Sequence, residues 1–267
     1  MATITITHSS GFFSCCSIRL DAIIYFININ KEFPLIVDSS KQFSWYKPLN
    51  YDGDITYEYF EHSDNMGKNI VLNDSVNIDY FQNYQFIDYS LLDFNQICPI
   101  VLKYFYPSNQ IVDIIKRMEE KYNLDYDNIC VLFYRGNDKN LETTICGYND
   151  YIEYAQRMLQ QKPNIRFLIQ SDETEFIELM IHTFPHNSFF FKDEIRHMNK
   201  CDNSTVDVYY THLNHSASKY YLGITIIMSK CEYIICGSGN CSIWIVLYRG
   251  NTKNVYQNLN NHWLKQN

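Results

Sequence analysis

From residue 129 onward the chain alternates short apolar runs with longer amphipathic stretches. ICVLFY, IRFLIQ, SFFF and YIIC have the length and residue types of strands. YNDYIEYAQRMLQQ, DETEFIELMIHTF, HSASKYYLGITIIMSK and NCSIWIVLYRG fill the intervals with helical patterns. Strands that alternate with helices in this way form a parallel sheet covered on both faces. Such sheets bind ligands outside the carboxyl ends of their strands, so the residues that follow each run carry the functional information.

The earlier part repeats the pattern less regularly. ATITIT reads as a strand, HSSG as a turn, FFSCCSIRLDAIIYFIN as a helix and PLIV as a second strand. Residues 39 to 90 are aromatic and acidic with poor periodicity; a long loop with a strand or two is expected there, NIVLN among them. A helix over residues 91–106 is expected to break near Pro99. PSNQIVDIIKRMEEKYN is an amphipathic helix with Ser108 as N-cap and Ile111, Ile114, Ile115 and Met118 on one face. LDYDN interrupts the pattern and places a domain boundary at residues 123–128. The expected organisation is an α/β lobe over 1–125 and a second, Rossmann-like lobe over 126–267.

A chain of 267 residues that is 46% hydrophobic and 19% charged can build its core without disulfide or metal staples. The net charge of −8 and the absence of a basic cluster argue against nucleic acid and anionic membranes as partners, but leave room for a small anionic ligand held by local donors. Nine cysteines, an odd number without a C-x-x-C pair, read as buried free thiols in a reducing compartment. Cys231, Cys236 and Cys241 are evenly spaced but fall on three different elements, so no metal site is expected. MATITITHSSGFF lacks the features of a signal peptide, and no stretch reaches 18 apolar residues; a cytoplasmic protein without a membrane span is expected.

Four strand ends deliver polar or glycine residues. After ICVLFY come Arg135, Gly136, Asn137, Asp138 and Lys139. A guanidinium fork at a central strand end suits a phosphate, although Arg135 could equally pair with Asp138 or Asp172. After YIIC comes GSGNCS, whose glycines would let backbone N–H groups approach an anion at a helix N-terminus; a plain turn with Asn240 or Ser242 as cap has the same sequence. It is neither a Walker loop nor the G-x-G-x-x-G fingerprint. After IRFLIQ, SDETE reads first as a helix cap, with Asp172 able also to touch a nucleotide. After ATITIT come His8, Ser9, Ser10 and Gly11. The residues alone describe a two-lobed α/β protein with an anion site facing the cleft, fit for a sugar nucleotide, a mononucleotide or a phosphorylated metabolite.

These motifs resemble those of the GDP-fucose-dependent fucosyltransferases, the α1,2-, α1,6- and protein O-fucosyltransferase superfamily. Their hallmark H-x-R-R-x-D is matched by FYRGND, with Arg135 at the first arginine and Asp138 at the aspartate. FLIQSDETEFIELM and IIMSKCEYIICGSGNCSIWIVLYRG resemble the donor-pocket segments that follow. HSSGFFSCCSIRLDAI resembles the glycine turn and first helix of the acceptor lobe. The likeness spans residues 130–250 and, more loosely, the first 40. Phe133 stands where the family has its histidine, and Gly136 where it has the second arginine.

The resemblance implies a GT-B-like fold: two Rossmann-like lobes with the ligand cleft between them. It implies inverting, metal-independent transfer of a sugar, fucose from GDP-fucose, to a glycan or protein hydroxyl. The GDP-sugar would be a co-substrate, and no other cofactor is implied. Arg135 and Asp138 would be catalytic, and Gly11, Arg135, Asp172, Ser238, Gly239, Asn240 and Ser242 would surround the donor. A carboxylate or His8 would act as base. The alternative is a non-catalytic nucleotide- or glycan-binding relative that kept the fold. A phosphate-ester hydrolase would need an exposed nucleophile paired with His, or metal carboxylates, which the sequence does not offer.

Overall fold

The computed structural model describes residues 2–61, 72 and 75–265. Strand β1 (Thr3–His8) lies parallel to β2 (Ile36–Gln42), and helix α1 (Phe12–Asn30) crosses between them. By length and composition α1 could cross a membrane, contrary to expectation, yet its apolar side is consumed inside the protein. Leu20, Ile23, Ile24 and Ile27 are buried, and α1 rests on β1, β2 and, across the molecule, the helix that closes the second sheet. Its one buried cation, Arg19, donates to the Val37 carbonyl at 3.2 Å and so ties α1 to β2.

Four-residue α2 (Thr56–Tyr59) follows, then α3 (Phe94–Tyr104) and α4 (Asn109–Tyr122). The expected break at Pro99 does not occur. The hydrogen bond that proline forfeits would have ended on Asn95, which is exposed, so water can satisfy that carbonyl. α4 buries Ile111, Ile114, Ile115 and Met118 as the periodicity requires. Ser108 donates its hydroxyl to the Glu58 carbonyl instead of capping the helix. Beyond β2, the described part of residues 39–90 holds short helical turns and one isolated bridge, Phe60 to Pro107, in place of strands. NIVLN lies outside the described residues apart from Leu72.

The regular half follows in order: β3 (Ile129–Tyr134), α5 (Tyr148–Gln161), β4 (Arg166–Ser171), α6 (Thr174–Thr183), β5 (Ser188–Phe189), α7 (Val206–Tyr209), α8 (Asn214–Lys230), β6 (Tyr233–Gly237), α9 (Asn240–Arg249), β7 (Val255–Leu259) and β8 (His262–Lys265). Sheet order is β5-β4-β3-β6-β7-β8, parallel except for β8. Successive residues of a strand face opposite sides. Ile129, Val131 and Phe133 therefore join one core with Trp244, Ile234 and Leu222, while Cys130, Leu132 and Tyr134 join another with Tyr151 and Phe176. The β7–β8 hairpin was not expected. Its turn is Asn260–Asn261 with φ of 50° and 62°, the left-handed pair that a two-residue hairpin needs and that asparagine tolerates.

Two of the cross-molecule contacts matter for the site. α4 lies along α8, and α3 along α9, so helices from before residue 126 cover one face of the large sheet.

Candidate functional site

The order of the large sheet reverses direction between β3 and β6. From β3 the chain moves outward through β4 to β5; it then returns to β6 on the other side and continues to β7. Loops leaving β3 and β6 therefore separate, and a crevice opens at their carboxyl ends. Arg135 is the residue after β3. It continues the alternation of Ile129, Val131 and Phe133, so its side chain emerges on the α8–α9 side.

The loop that carries Arg135 is gripped from below. Asp172 accepts from the Gly136 N–H at 3.1 Å, and Glu173 accepts from the Asn137 N–H at 2.7 Å. Tyr148 donates its hydroxyl to the other Glu173 oxygen, and Asn137 reaches back to the Asp172 carbonyl at 3.1 Å. Both carboxylates are buried. Of the cap expected from SDETE only a local bond forms: Ser171 accepts from the Glu173 N–H at 3.0 Å just ahead of α6, whereas Asp172 is spent on the loop and Glu173, at the N-cap position, makes no side-chain cap bond. The register explains why. Ser171 lies opposite Tyr134, so the next two side chains of β4's extension meet the backbone leaving β3.

Gly136 is what makes this possible. A Cβ there would lie 2.0 Å from Glu173 Oε1, so the carboxylate occupies the space that a second arginine would need.

The guanidinium is held but not used up. Its Nε lies 3.1 Å from Asp172 Oδ2, within ion-pair range though not aligned for a hydrogen bond, and one Nη lies 3.4 Å from Asp138 Oδ1. The other Nη has no protein partner among the described residues. Burial opposes the charge on Arg135, but Asp172, aided by Asp138 and Asp207, outweighs burial and raises its pKa well above the ordinary arginine range. Asp138 feels the opposite balance: burial pushes its carboxyl pKa up, and Arg135 and Lys139 only partly offset this.

Opposite stands the start of α9. Gly239 takes the N-cap position with no side chain to offer, so the first-turn N–H groups of Asn240, Cys241 and Ser242 are uncapped. The turn is fixed by its neighbours. Tyr89, fully buried, accepts from the Gly239 N–H at 3.1 Å. Ser238 donates to the Asn258 carbonyl at 2.8 Å and accepts from Gln257, whose amide also bonds the Ile87 carbonyl at 2.7 Å and the Tyr89 N–H at 3.0 Å. Ser242 bonds the Gly237 carbonyl. Asn240 accepts from Ser17 of α1 at 2.9 Å, and Ser17 in turn accepts from the Trp244 indole at 3.0 Å.

A cleft of about 220 Å³ joins these parts. It brings together seven of the expected residues: Gly11 from the first sheet's turn, Arg135, Asp138, Ser238, Gly239, Asn240 and Ser242. Ser238 and Ser242 direct their hydroxyls to backbone carbonyls, so what they present to the cleft is mainly backbone. Two expected residues are not among the lining. Asp172 is 4% exposed and sits behind Arg135 as its counter-ion, lining instead a smaller pocket that shares Arg135, Asp207 and Tyr221 with the cleft. His8 lies behind Ser14, which does line the cleft, and accepts or shares a hydrogen bond with its hydroxyl at 3.0 Å; burial lowers the His8 pKa.

Sequence reasoning missed others. Lys139, the last residue of the motif, is buried with its ammonium 2.6 Å from Glu142 and within reach of the glycine turn; a Cβ on Gly239 would lie 3.6 Å from its Nζ. Glu142, Asp207 and Trp45 also line the cleft. Burial pushes the Cys241 thiol up to about 11, so it is a poor nucleophile at neutral pH.

No family model and no curated protein matches the chain in sequence. Solved structures do. Fucosyltransferase NodZ from Bradyrhizobium superposes with a TM-score of 0.56 over 98% of this chain and 97% of that one, at 10% identity. The fold is that of the fucosyltransferases. Mutant Arabidopsis thaliana FUT1 in complex with GDP shares this fucosyltransferase fold with a TM-score of 0.51, over 96% of this chain and 70% of that one, at 11% identity. A structure of NodZ alpha-1,6-fucosyltransferase co-crystallized with GDP aligns over 62% of this chain with a TM-score of 0.42 and 11% identity; the match spans only about half, 49%, of that chain.

Proposed function

We propose that the cleft holds the diphosphate of a nucleotide sugar, GDP-fucose in the first instance, and that the chain transfers the sugar to a hydroxyl with inversion. One observation carries this reading: Arg135, with a free Nη, and the uncapped first turn of α9 line one cleft, at the point where the sheet order reverses. The fucosyltransferase fold supports it, and the similar Arabidopsis FUT1 structure holds GDP. Taken with the sequence division, residues 126–267 would bind the donor and residues 1–125 would face the acceptor.

In such a transfer the bond from the sugar's anomeric carbon to the diphosphate breaks as the acceptor oxygen bonds to that carbon. Negative charge grows on the departing phosphate oxygen. Arg135, Lys139 and the α9 N–H groups are in place before it grows, so they stabilise it without reorganising. With that charge met by the chain itself, the transfer is independent of a metal ion. The acceptor proton passes to Asp138, whose raised pKa makes it a better proton acceptor than an exposed carboxylate.

Asp138 gives a prediction with a definite sign. Its carboxyl binds a proton more tightly folded than unfolded, so its contribution to stability is present in acid and is lost as pH rises through the raised folded pKa. Asp138→Asn removes that loss. The variant should melt no lower than the parent at neutral pH, show a flatter decline from acid to neutral pH, and lose sugar transfer by about 10²–10⁴-fold. Melting curves across pH with a transfer assay check both halves.

The nucleotide reading itself is tested by melting the chain with GDP, UDP, ADP and CMP. GDP should raise the melting temperature most. No response to any of the four overturns the proposal. The departures at Phe133 and Gly136 favour a second reading, a relative that binds nucleotide without turnover. It is distinguished by a GDP response with no release of GDP from GDP-fucose in the presence of acceptor.

A further inference from the structure

Trp45 stands 40% exposed at the mouth of the cleft, on the side of the first sheet. The other two tryptophans are committed to packing: Trp244 is buried 4.7 Å from the Phe105 ring, and Trp263 lies 4.5 Å from Tyr154. Among the described residues no aromatic ring stacks on Trp45. The turn that presents it is nevertheless firmly anchored. Phe43 and Tyr46 flank it, both fully buried, each with its ring 5.5 Å from that of Phe12. Ser44 bonds Ser9 at the end of β1. Phe43 has φ of 58°, a left-handed conformation that a bulky residue keeps only when its surroundings impose it. Among the described residues the indole is thus left partly exposed and without a stacked ring, on an anchored turn that lines the cleft.

Neutral polar groups line the same cleft. Ser10 and Ser14 offer hydroxyls and Gln85 an amide along the same mouth. A pyranose ring has one face of C–H groups and an edge of hydroxyls. Its C–H face, slightly positive, complements the negative face of an indole, and its edge complements hydroxyls and amides.

We infer that Trp45 is a stacking platform for a sugar ring of the acceptor, so that the acceptor is a saccharide and not a bare protein side chain. The inference rests on reading the cleft as a transferase site, with the donor against Arg135 and the acceptor on the facing side.

The test titrates the full chain with neutral β-linked trisaccharides of glucose, of galactose and of N-acetylglucosamine, read by tryptophan fluorescence and calorimetry. Parent, Trp45→Phe and Trp45→Ala are compared, each also melted with GDP. Trp45 is an exposed position, so both variants should fold. A saccharide should shift the parent's emission, and the shift should vanish in both variants. Affinity should fall about tenfold in Trp45→Ala and within about threefold in Trp45→Phe. The GDP response should be equal in all three. Equal saccharide affinity in parent and Trp45→Ala overturns the inference, as does no saccharide binding by the parent. A weaker GDP response in Trp45→Ala also overturns it, since the indole would then stack on the nucleobase. Saccharide binding that depends on Trp45 without any GDP response would keep the platform and remove the transferase reading.

Discussion

Arg135→Ala abolishes the stabilisation that GDP confers. In the parent, GDP at 100 times its dissociation constant adds about 2.7 kcal/mol; in the variant the melting temperature is the same with and without it. The reason is geometric. The Arg135 side chain is 23% exposed, fixed from behind by Asp172, and has an Nη free to face the cleft. Its removal also leaves Asp172 buried without its counter-ion, and breaking such a pair costs about 3–5 kcal/mol. A lower melting temperature alone would therefore prove nothing. The double variant Arg135→Ala, Asp172→Asn removes the stranded charge while keeping an acceptor for the Gly136 N–H, and should recover part of the lost stability while still ignoring GDP. A GDP response in either variant as large as the parent's would remove Arg135 from the site.

Gly136→Ala should destabilise the chain by about 1–3 kcal/mol, from a single added carbon. That carbon would lie 2.0 Å from Glu173 Oε1. A carboxylate at the end of a flexible side chain can usually step aside, but Glu173 is fully buried and accepts from Asn137 and Tyr148. Moving it leaves the Asn137 N–H unsatisfied in the interior. Glu173→Ala is harmful alone for the same reason. Combined with Gly136→Ala it should cost less than the sum, because the second change removes the clash that the first creates. Urea midpoints for the two single variants and the double variant measure this coupling. An unchanged midpoint for Gly136→Ala would show that the carboxylate moves freely. The same contact accounts for the departure from the fucosyltransferase hallmark: an arginine at 136 and a glutamate at 173 cannot share this space.

The second half of the fold is legible because its strands are wholly apolar and its helices are periodic. β3, α5, α6, α8 and α9 fall where those patterns place them. Arg135, Asp138 and the turn at 237–242 are legible for a related reason, since a parallel sheet gives its strand ends a meaning. The errors are equally physical. SDETE has the spacing of a helix cap and of a buried clamp, and only the register of β4 against β3 decides between them. Lys139 and Glu142 are in plain view, but nothing local shows that residues 137–141 coil back toward the glycine turn. Tyr89 bonds a residue 150 positions away, and Trp45 sits in an aromatic stretch without period. Long-range partners of that kind leave no trace in spacing.

The thread from Asn240 through Ser17 to Trp244 has a mechanical corollary. It fastens the first turn of one helix, where an anion would rest, to the second turn of another helix that leads back to Gly11 and the opposite wall. The crevice is thus riveted at its base. The floor beside Asn240 is therefore the part of the crevice least free to widen.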